Sequence, residues 1–293
     1  MENKKLIIGV TEQSVSVICY KVNTRVELLA CQIYAQKEFT KKLLQRFLEE
    51  HDAHQIDTQV ILGPQLYRIL MVDRPNIKDE ELTQAAKWLA KDLITDNLED
   101  VVVDAFPTVE RVSKTNKLYM VIANKSYLQS LYELCFMAGA PLTTLTIAEI
   151  GFLQLVPDSS QVNVIVYSPE ENEVRVLIVY NGEIDFIRNI KIKNTLIQEN
   201  NLRCEELALE LNRSIDFYAT QFGDAVKEIL YVPCEFFSED YVNLLKNKMT
   251  IDVAVLYDNN FSKFLGDSRW DKHIMAFGLI PNIITENKND AKN

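Results

Sequence analysis

Glycine is scarce in this chain of 293 residues, which contains only 8 of them. Loops that bind phosphate depend on glycine, because only a backbone without a Cβ atom lets the phosphate approach closely. This scarcity argues against a nucleotide-binding enzyme. Basic charge is also in deficit, since 31 lysines and arginines oppose 42 aspartates and glutamates, a net charge of −11. Such a chain lacks the basic face that nucleic acids and anionic membranes require.

Cysteine-pair motifs and long apolar runs are absent as well. No window approaches the roughly 18 consecutive apolar residues of a membrane span, and the N-terminus has no apolar signal-peptide core. A scattered, odd number of cysteines is typical of reduced thiols in a cytoplasmic protein. The five are Cys19, Cys31, Cys135, Cys204 and Cys234. The sequence therefore predicts a cytoplasmic protein without a membrane span.

Apolar periodicity predicts the same series of elements twice, three strands followed by a helix and a strand. In the first half the strands fall at 5–10, 14–21, 26–34 and 58–62, with the helix at 39–50. In the second half the strands fall at 162–167, 173–180, 183–192, 227–232 and 251–256, with helices at 205–222 and 238–248. Asn181-Gly182 is a strong hairpin signal between two of these strands. A duplicated β-β-β-α-β-α unit is the architecture of the actin-like (ribonuclease H-like) α/β fold.

Between the two copies lies a block that the pattern assigns to a small inserted α+β subdomain, at about 66–145. It has predicted strands at 66–72, 101–109 and 117–123 and predicted helices at 79–97 and 126–138. Ser126 is the expected N-cap of the last helix, and Gly139 its expected end. The predicted domains are therefore a first half at 1–157 that contains the insertion, a second half at 158–280, and a disordered polar tail at 281–293.

Several short stretches, in this order along the chain, resemble the type IV pilus assembly protein PilM and its relative MshI of mannose-sensitive (MSHA) pilus biogenesis. The clearest is 74–88 (RPNIKDEELTQAAKW), a proline-containing strand exit that leads into a helix. The others are 98–104 (LEDVVVD), 121–126 (VIANKS), 135–140 (CFMAGA), 145–150 (LTIAEI), 181–188, 212–218 (NRSIDFY) and 276–279 (AFGL). The resemblance covers roughly residues 5–280.

The resemblance implies an actin-like fold, a cytoplasmic location beside the inner membrane, and a scaffold role. Its implied partner is a bitopic inner-membrane pilus protein, PilN-like, whose short cytoplasmic N-terminus it binds. A cytoplasmic assembly motor and a second copy of the chain are further candidate partners. The module of the type II secretion L protein is an alternative, although that protein continues into a membrane span.

Typical actin-like proteins hold ATP with three loops, and all three depart from the pattern here. The loop at 10–14 has neither Asp nor Gly. In the loop at 167–172, Pro169 removes an amide donor, and two glutamates repel phosphate. The loop at 232–235 lacks the usual pair of glycines. We therefore expect no nucleotide, ATP and magnesium included, and no enzymatic activity.

A fourth departure concerns the wall of the nucleotide cleft. PilM relatives carry a helical subdomain there, but only 193–203 is available, about 11 residues or at most ~16 Å of helix. The alternative from another functional class is an ATP-binding actin-like ATPase of the pilus platform, whose degenerate loops bind phosphate in an unusual way. A sugar kinase is excluded on the same grounds, and because no catalytic aspartate lies in a glycine-rich context.

Two sets of residues resemble catalytic or metal sites only superficially. His51 and His54 flank Asp52, but no further His or Cys lies nearby in sequence to complete a metal site. A solvated helix end is the favoured interpretation. Glu12 follows a strand but has no identifiable partner as a general base. The sequence therefore proposes no catalytic, cofactor or metal residues.

Trp88 is the candidate for partner binding. On its predicted helix it points about 120° away from the middle of the apolar stripe, and exposed tryptophans are favoured interface anchors. Lys87 and Lys91 are candidates for the same surface. The alternative is that the inserted subdomain packs on two sides of this helix and buries Trp88.

Overall fold

A computed structural model describes residues 4–23, 26–108, 117–156, 160–170, 172–192, 200–232, 239–256 and 273–281. The chain divides into two compact units. The first contains the residues up to Ala148 together with those from Met275 onwards, and the second is Glu149–Ile274. Our expected boundary lay near 157, so the units differ from the predicted halves at both ends of the second one. The predicted tail beyond 281 lies outside the described residues.

The first unit is built on a five-stranded sheet with the order β3-β2-β1-β4-β8. Its strands are β1 (Lys4–Val10), β2 (Ser14–Val22), β3 (Val26–Ala35), β4 (Thr58–Leu62) and β8 (Leu142–Ile147). A 3₁₀ turn (Gln36–Glu38) and α1 (Lys41–Glu50) follow β3, and α3 (Lys125–Ala138) precedes β8. Strand β1 pairs antiparallel with β2 and parallel with β4, so it is buried on both faces and reads as a continuous apolar run.

The inserted part of this unit is smaller than the sequence suggests. A three-stranded antiparallel sheet, β5-β7-β6, carries one helix. Its elements are β5 (Tyr67–Asp73), α2 (Asp79–Ala90), β6 (Val101–Pro107) and β7 (Lys117–Asn124). The predicted insertion ran to 145, but β8 pairs in parallel with β4, and α3 packs on α1. Strand β8 therefore belongs to the main sheet, and α3 packs beside it with α1. The sequence did not predict β8 as a strand.

Two helix ends also differ from the predictions. We expected α2 to reach 97, but it ends at Ala90, where the amide of Leu93 turns back to the Ala90 carbonyl. The N-cap of α3 is Asn124, whose side chain accepts from the amide of Tyr127, rather than Ser126. The predicted C-terminal end at Gly139 is confirmed, because Gly139 adopts the left-handed conformation with φ 85°.

The second unit repeats the main sheet, with the strand order β11-β10-β9-β12-β13. The strands are β9 (Val162–Glu170), β10 (Glu173–Tyr180), β11 (Glu183–Lys191), β12 (Val226–Tyr231) and β13 (Asp252–Val255). The helices of this unit are α4 (Ala148–Gln154), α5 (Asn200–Phe222) and α6 (Glu239–Lys246). The short α7 (Ile274–Phe277) begins at the last residue of the second unit and otherwise belongs to the first. The predicted hairpin turn is confirmed, since Asn181 and Gly182 have φ values of 51° and 77°.

The long helix α5 begins five residues earlier than predicted and packs one apolar stripe on this sheet, with Leu207, Leu211 and Tyr218 fully buried. We expected 193–203 to be too short for a wall of the nucleotide cleft. Residues 200–203 of this segment form the start of α5, and 193–199 lie outside the described residues. No helix of the described ranges is both long and apolar enough to cross a membrane.

Candidate functional site

The β1–β2 hairpin, where an actin-like protein would place its first phosphate loop, is closed by its own hydrogen bonds. The Thr11 hydroxyl donates to the Ser14 carbonyl at 3.1 Å and accepts from the amides of Gln13 and Ser14 at 3.4 and 3.1 Å. The Thr11 amide donates to the Ser14 carbonyl at 2.9 Å. Three amides of the hairpin are therefore occupied within it, and phosphate binding would require breaking these bonds.

The adjacent Gly63 closes this end of the sheet tightly. Its amide donates to the Val10 carbonyl at 2.6 Å. A Cβ atom at Gly63 would lie 3.0 Å from that same oxygen and 3.2 Å from Cγ2 of Thr11. This is a close approach of two backbones, for which glycine is needed. One of the few glycines of the chain thus serves packing between strands.

The second hairpin, between β9 and β10, is closed in a comparable way. Glu170 pairs with Glu173 across the two strands. The hydroxyl of Ser168 donates to the Glu173 carbonyl at 2.9 Å. The pairing therefore continues almost to the turn that was expected to repel phosphate. The third predicted loop departs at 232, and 233–235 lie outside the described residues.

A buried ionic cluster in the second unit was missed by sequence reasoning. The carboxylate of Glu149, at the start of α4, accepts from the guanidinium of Arg175 at 2.8 Å and from the hydroxyl of Tyr167. Arg175 also donates to Asn189 at 2.7 Å and lies 3.5 Å from Glu173. Glu149, Tyr167 and Arg175 are all nearly or fully buried. A glutamate and an arginine inside apolar segments were the available signal.

The electrostatics of this cluster keep Tyr167 neutral. Burial raises the pKa of its phenol well above the usual value, the Glu149 carboxylate raises it further, and Arg175 opposes both effects. Tyr167 therefore remains a hydrogen-bond donor to Glu149 at physiological pH. Because the carboxylate already has two donors, the cluster has the chemistry of an internal ion pair that fixes α4 on the sheet.

The candidate partner surface lies on the outer side of α2. The apolar stripe of this helix, Leu82, Ala86 and Ala90, packs on the three-stranded sheet. Trp88 lies two positions from Ala86, a rotation of about 200°, and is 72% exposed. The alternative, in which the inserted subdomain buries Trp88, is therefore wrong, and Trp88 is the most exposed of the large apolar side chains in the described chain.

The two lysines predicted beside Trp88 behave differently from one another. Lys87 is half-buried, and its ammonium lies 3.2 Å from the carboxylate of Glu99. Lys91 is exposed just after the helix end, and its amide donates to the Trp88 carbonyl at 3.2 Å. The structure thus places Trp88 and Lys91 together at the free end of α2, whereas Lys87 is engaged with the neighbouring loop.

The residues that superficially suggested metal or acid–base chemistry are surface residues. His54 and Asp52 are exposed, and the Lys4 ammonium donates to the carbonyls of His51 and Asp52 at 3.2 and 3.0 Å, which closes the C-terminal end of α1. Glu12 is exposed at the hairpin tip. Within the described ranges, no three His, Cys, Asp or Glu residues are grouped as a metal site requires.

The cysteines of the described chain are free thiols, and Cys234 lies outside the described residues. Cys19, Cys135 and Cys204 are buried, and Cys31 is partly buried. Burial raises the pKa of Cys135 and of Cys204 to about 11. These thiols are thus protonated and inert at neutral pH.

Comparisons with known proteins identify the fold. No protein-family model matches the chain, and no curated protein does. A chain of the PilM–PilN type IV pilus biogenesis complex matches with a TM-score of 0.66 and 14% identity, over 96% of this chain and 98% of that one. A Bacteroides thetaiotaomicron protein of unknown function with an actin-like ATPase fold matches with a TM-score of 0.53 and 11% identity, over 91% and 96%.

A third structure is the cytoplasmic domain of EpsL, an inner-membrane component of the type II secretion system of Vibrio cholerae. It matches with a TM-score of 0.49 and 13% identity, over 88% of this chain and 99% of that one. The likeness to the PilM–PilN chain and to the Bacteroides thetaiotaomicron protein, at identities this low, shows the fold alone. The chain has an actin-like α/β fold, which confirms the fold class predicted from the repeated order of strands and helices.

Proposed function

We propose that this chain is a cytoplasmic actin-like adaptor of a pilus or secretion platform at the inner membrane, most closely of the MSHA type. It binds the cytoplasmic N-terminal tail of a bitopic, PilN-like membrane protein and through it associates with the membrane. The observation that carries the proposal is the end-to-end likeness to a chain of the PilM–PilN complex. The exposed Trp88 of α2 supplies the contact residue.

The proposal includes a binding role without nucleotide. The amides of Thr11, Gln13 and Ser14 are engaged inside the first hairpin, and the second hairpin is paired up to Glu170. An adaptor needs only a stable framework and an accessible surface. Trp88 and Lys91 offer an apolar anchor and a cation on such a surface, which suits a peptide that carries both apolar and acidic groups.

The test is a binding titration with the synthetic N-terminal tail of a PilN-like bitopic membrane protein from the same organism. Fluorescence anisotropy would follow a labelled tail added to the full-length protein. Trp88→Ala is expected to weaken binding by about 2 kcal/mol, roughly 30-fold in Kd, as for an interface anchor. Its melting temperature should stay unchanged, because Trp88 is exposed.

Leu209→Ala is the matched control, because Leu209 is 51% exposed on α5 in the other unit. This variant should bind the tail as the unaltered chain does. Equal binding by Trp88→Ala and the unaltered chain would remove Trp88 from the interface. Failure of the unaltered chain to bind any bitopic tail would overturn the adaptor proposal itself.

A further inference from the structure

A second exposed surface lies on the main sheet of the first unit, on the outer side of α1 and α3. Three large apolar side chains of α3 are open to solvent: Tyr132, Phe136 and Met137 are 49%, 65% and 54% exposed. The rings of Tyr132 and Phe136 stack with centroids 6.2 Å apart and planes within 13°. Two aromatic residues one turn apart, with a methionine beside them, form a patch of the kind that marks interfaces.

Two hydrogen bonds fix α1 beside α3. Gln36, just before α1, donates to the hydroxyl of Tyr127 in the first turn of α3 at 3.2 Å. Gln45 in the middle of α1 donates to the carbonyl of Met137 near the end of α3 at 3.4 Å. The helices therefore run side by side in the same direction, with a groove between them.

The first turn of α1, beside this groove, is basic, whereas Glu49 and Glu50 lie in its last turn. Lys41 and Lys42 lie one turn before Gln45, so they occupy the same side of the helix. Both are exposed, and neither ammonium group forms an ion pair or hydrogen bond with any described residue. They also lie in the first turn of α1, which has no acidic residue and where the helix dipole disfavours cations. Carboxylates from a partner would offset this arrangement.

We propose that this α1–α3 surface, consisting of Lys41, Lys42, Tyr132, Phe136 and Met137, docks an acidic amphipathic helix of a partner protein. The apolar face of that helix would cover the aromatic patch, and its carboxylates would pair with the two lysines. This site is separate from Trp88 on α2 and does not depend on the function proposed above.

Other occupants fit the surface less well. Two lysines are fewer than the clusters of roughly four to eight that bind anionic lipids, and the net charge of −11 opposes a membrane. A second copy of the chain, docked through the same surface about a two-fold axis, would bring lysines close to lysines. An acidic helix is the occupant that charge complementarity favours.

The probe is a synthetic 20-residue amphipathic helix with leucines on one face and glutamates on the flanks, compared with the same peptide carrying lysine at each glutamate. Anisotropy with the full-length protein at low salt is expected to show at least tenfold tighter binding of the acidic peptide. This is a strict criterion, because the overall negative charge of the protein favours the basic peptide. Added salt should weaken the acidic complex.

Two double variants localise the binding. Phe136→Ser with Met137→Ser, and separately Lys41→Glu with Lys42→Glu, should each weaken the acidic peptide at least tenfold. The glutamate variant is expected to fold, because acidic residues suit the first turn of a helix, and circular dichroism checks this. Leu209→Ser and Lys246→Glu, which alter exposed residues of the second unit, should leave binding unchanged.

The proposal is overturned if both peptides bind equally, or if the two double variants bind the acidic peptide as the unaltered chain does. It is also overturned if vesicles of phosphatidylcholine and phosphatidylglycerol, but not the acidic peptide, bind through Lys41 and Lys42. A dimer in sedimentation velocity that Phe136→Ser with Met137→Ser dissociates, without peptide binding, would assign the surface to a second copy.

Discussion

The two units share a sheet topology but differ in what they bury. Each has three antiparallel strands followed by two parallel ones, in the same spatial order. In the described part of the first unit, the buried polar side chains are the neutral hydroxyls of Thr11, Ser16 and Thr58. The second unit buries charged groups, namely Glu149, Arg175, Asp185 and Arg203. The same sheet topology therefore accommodates two kinds of interior. The first unit is held by apolar packing, and the second is held partly by ion pairs.

The difference has an energetic consequence. Removing a buried hydroxyl lowers the free energy of unfolding by about the contribution of one hydrogen bond. Removing the partner of a buried charge lowers it much more, because that charge stays out of water without compensation. The second unit should therefore be far more sensitive to single deletions of a polar group. Long-range pairs such as Glu149 with Arg175, 26 positions apart, help to hold its elements together.

The largest effect is expected for Glu149→Ala. It leaves the buried Arg175 guanidinium without its main counter-charge and should destabilise the second unit by about 3–5 kcal/mol. Native-state hydrogen exchange would measure this as lost protection of β9 and β10, while β1 and β4 keep theirs.

A matched double variant separates the charge from the space it fills. Glu149→Leu with Arg175→Met removes both charges and keeps similar volume, so it should recover most of the loss. An unchanged protection of β9 in Glu149→Ala would contradict the idea that ion pairs hold the second unit.

Tyr218→Phe should have an intermediate effect. The hydroxyl of Tyr218 donates to the buried carboxylate of Asp185 at 2.7 Å, and hydrogen bonds to charged groups contribute about 1.5–3 kcal/mol. Urea unfolding followed by circular dichroism measures the loss. Tyr132→Phe, at an exposed tyrosine of α3, is a control for removing a phenolic hydroxyl. A loss no greater than in this control would mean that the carboxylate does not need Tyr218.

Thr11→Val tests the neutral first unit and should cost only about 1 kcal/mol. It replaces the hydroxyl that closes the β1–β2 hairpin by a methyl group of similar size. Thr11→Ser keeps the hydroxyl and should lose less. Hydrogen exchange at the amides of Gln13 and Ser14 is the direct readout, and it should accelerate in Thr11→Val alone. If Thr11→Val costs as much as Glu149→Ala, the contrast between the two units fails.

Sequence periodicity was sufficient for the elements whose pattern is local. The predicted strands of both main sheets lie within about three residues of their observed ends, because continuous apolar runs such as Leu6–Val10 belong to central strands. Strand β8 was missed, since its leucines and threonines do not alternate strictly and are largely exposed at a sheet edge. The end of α2 was misplaced because apolar residues continue past Ala90 in a tight turn that periodicity does not distinguish from helix.

The features of the candidate site also divide into those that a local sequence pattern predicts and those that it does not. The outward direction of Trp88 follows from helical geometry alone and was predicted. The Glu149–Arg175 pair and the α1–α3 surface depend on contacts between distant segments, which no single-sequence pattern encodes. The identity of a docking partner depends on the partner's own sequence, so the sequence of this chain does not predict it.

The smallest expected effect is that of nucleotide. A ligand that binds only the folded state adds about 2.7 kcal/mol at 100 times its Kd, which raises the melting temperature measurably. We expect no shift with millimolar Mg-ATP or Mg-ADP, because the first hairpin uses three amides internally and the second is paired to Glu170. Thr11→Val, with two hairpin amides released, is the informative companion. A magnesium-dependent shift of the unaltered chain would show that these hairpins open to phosphate, and it would move the ATPase alternative ahead of the adaptor.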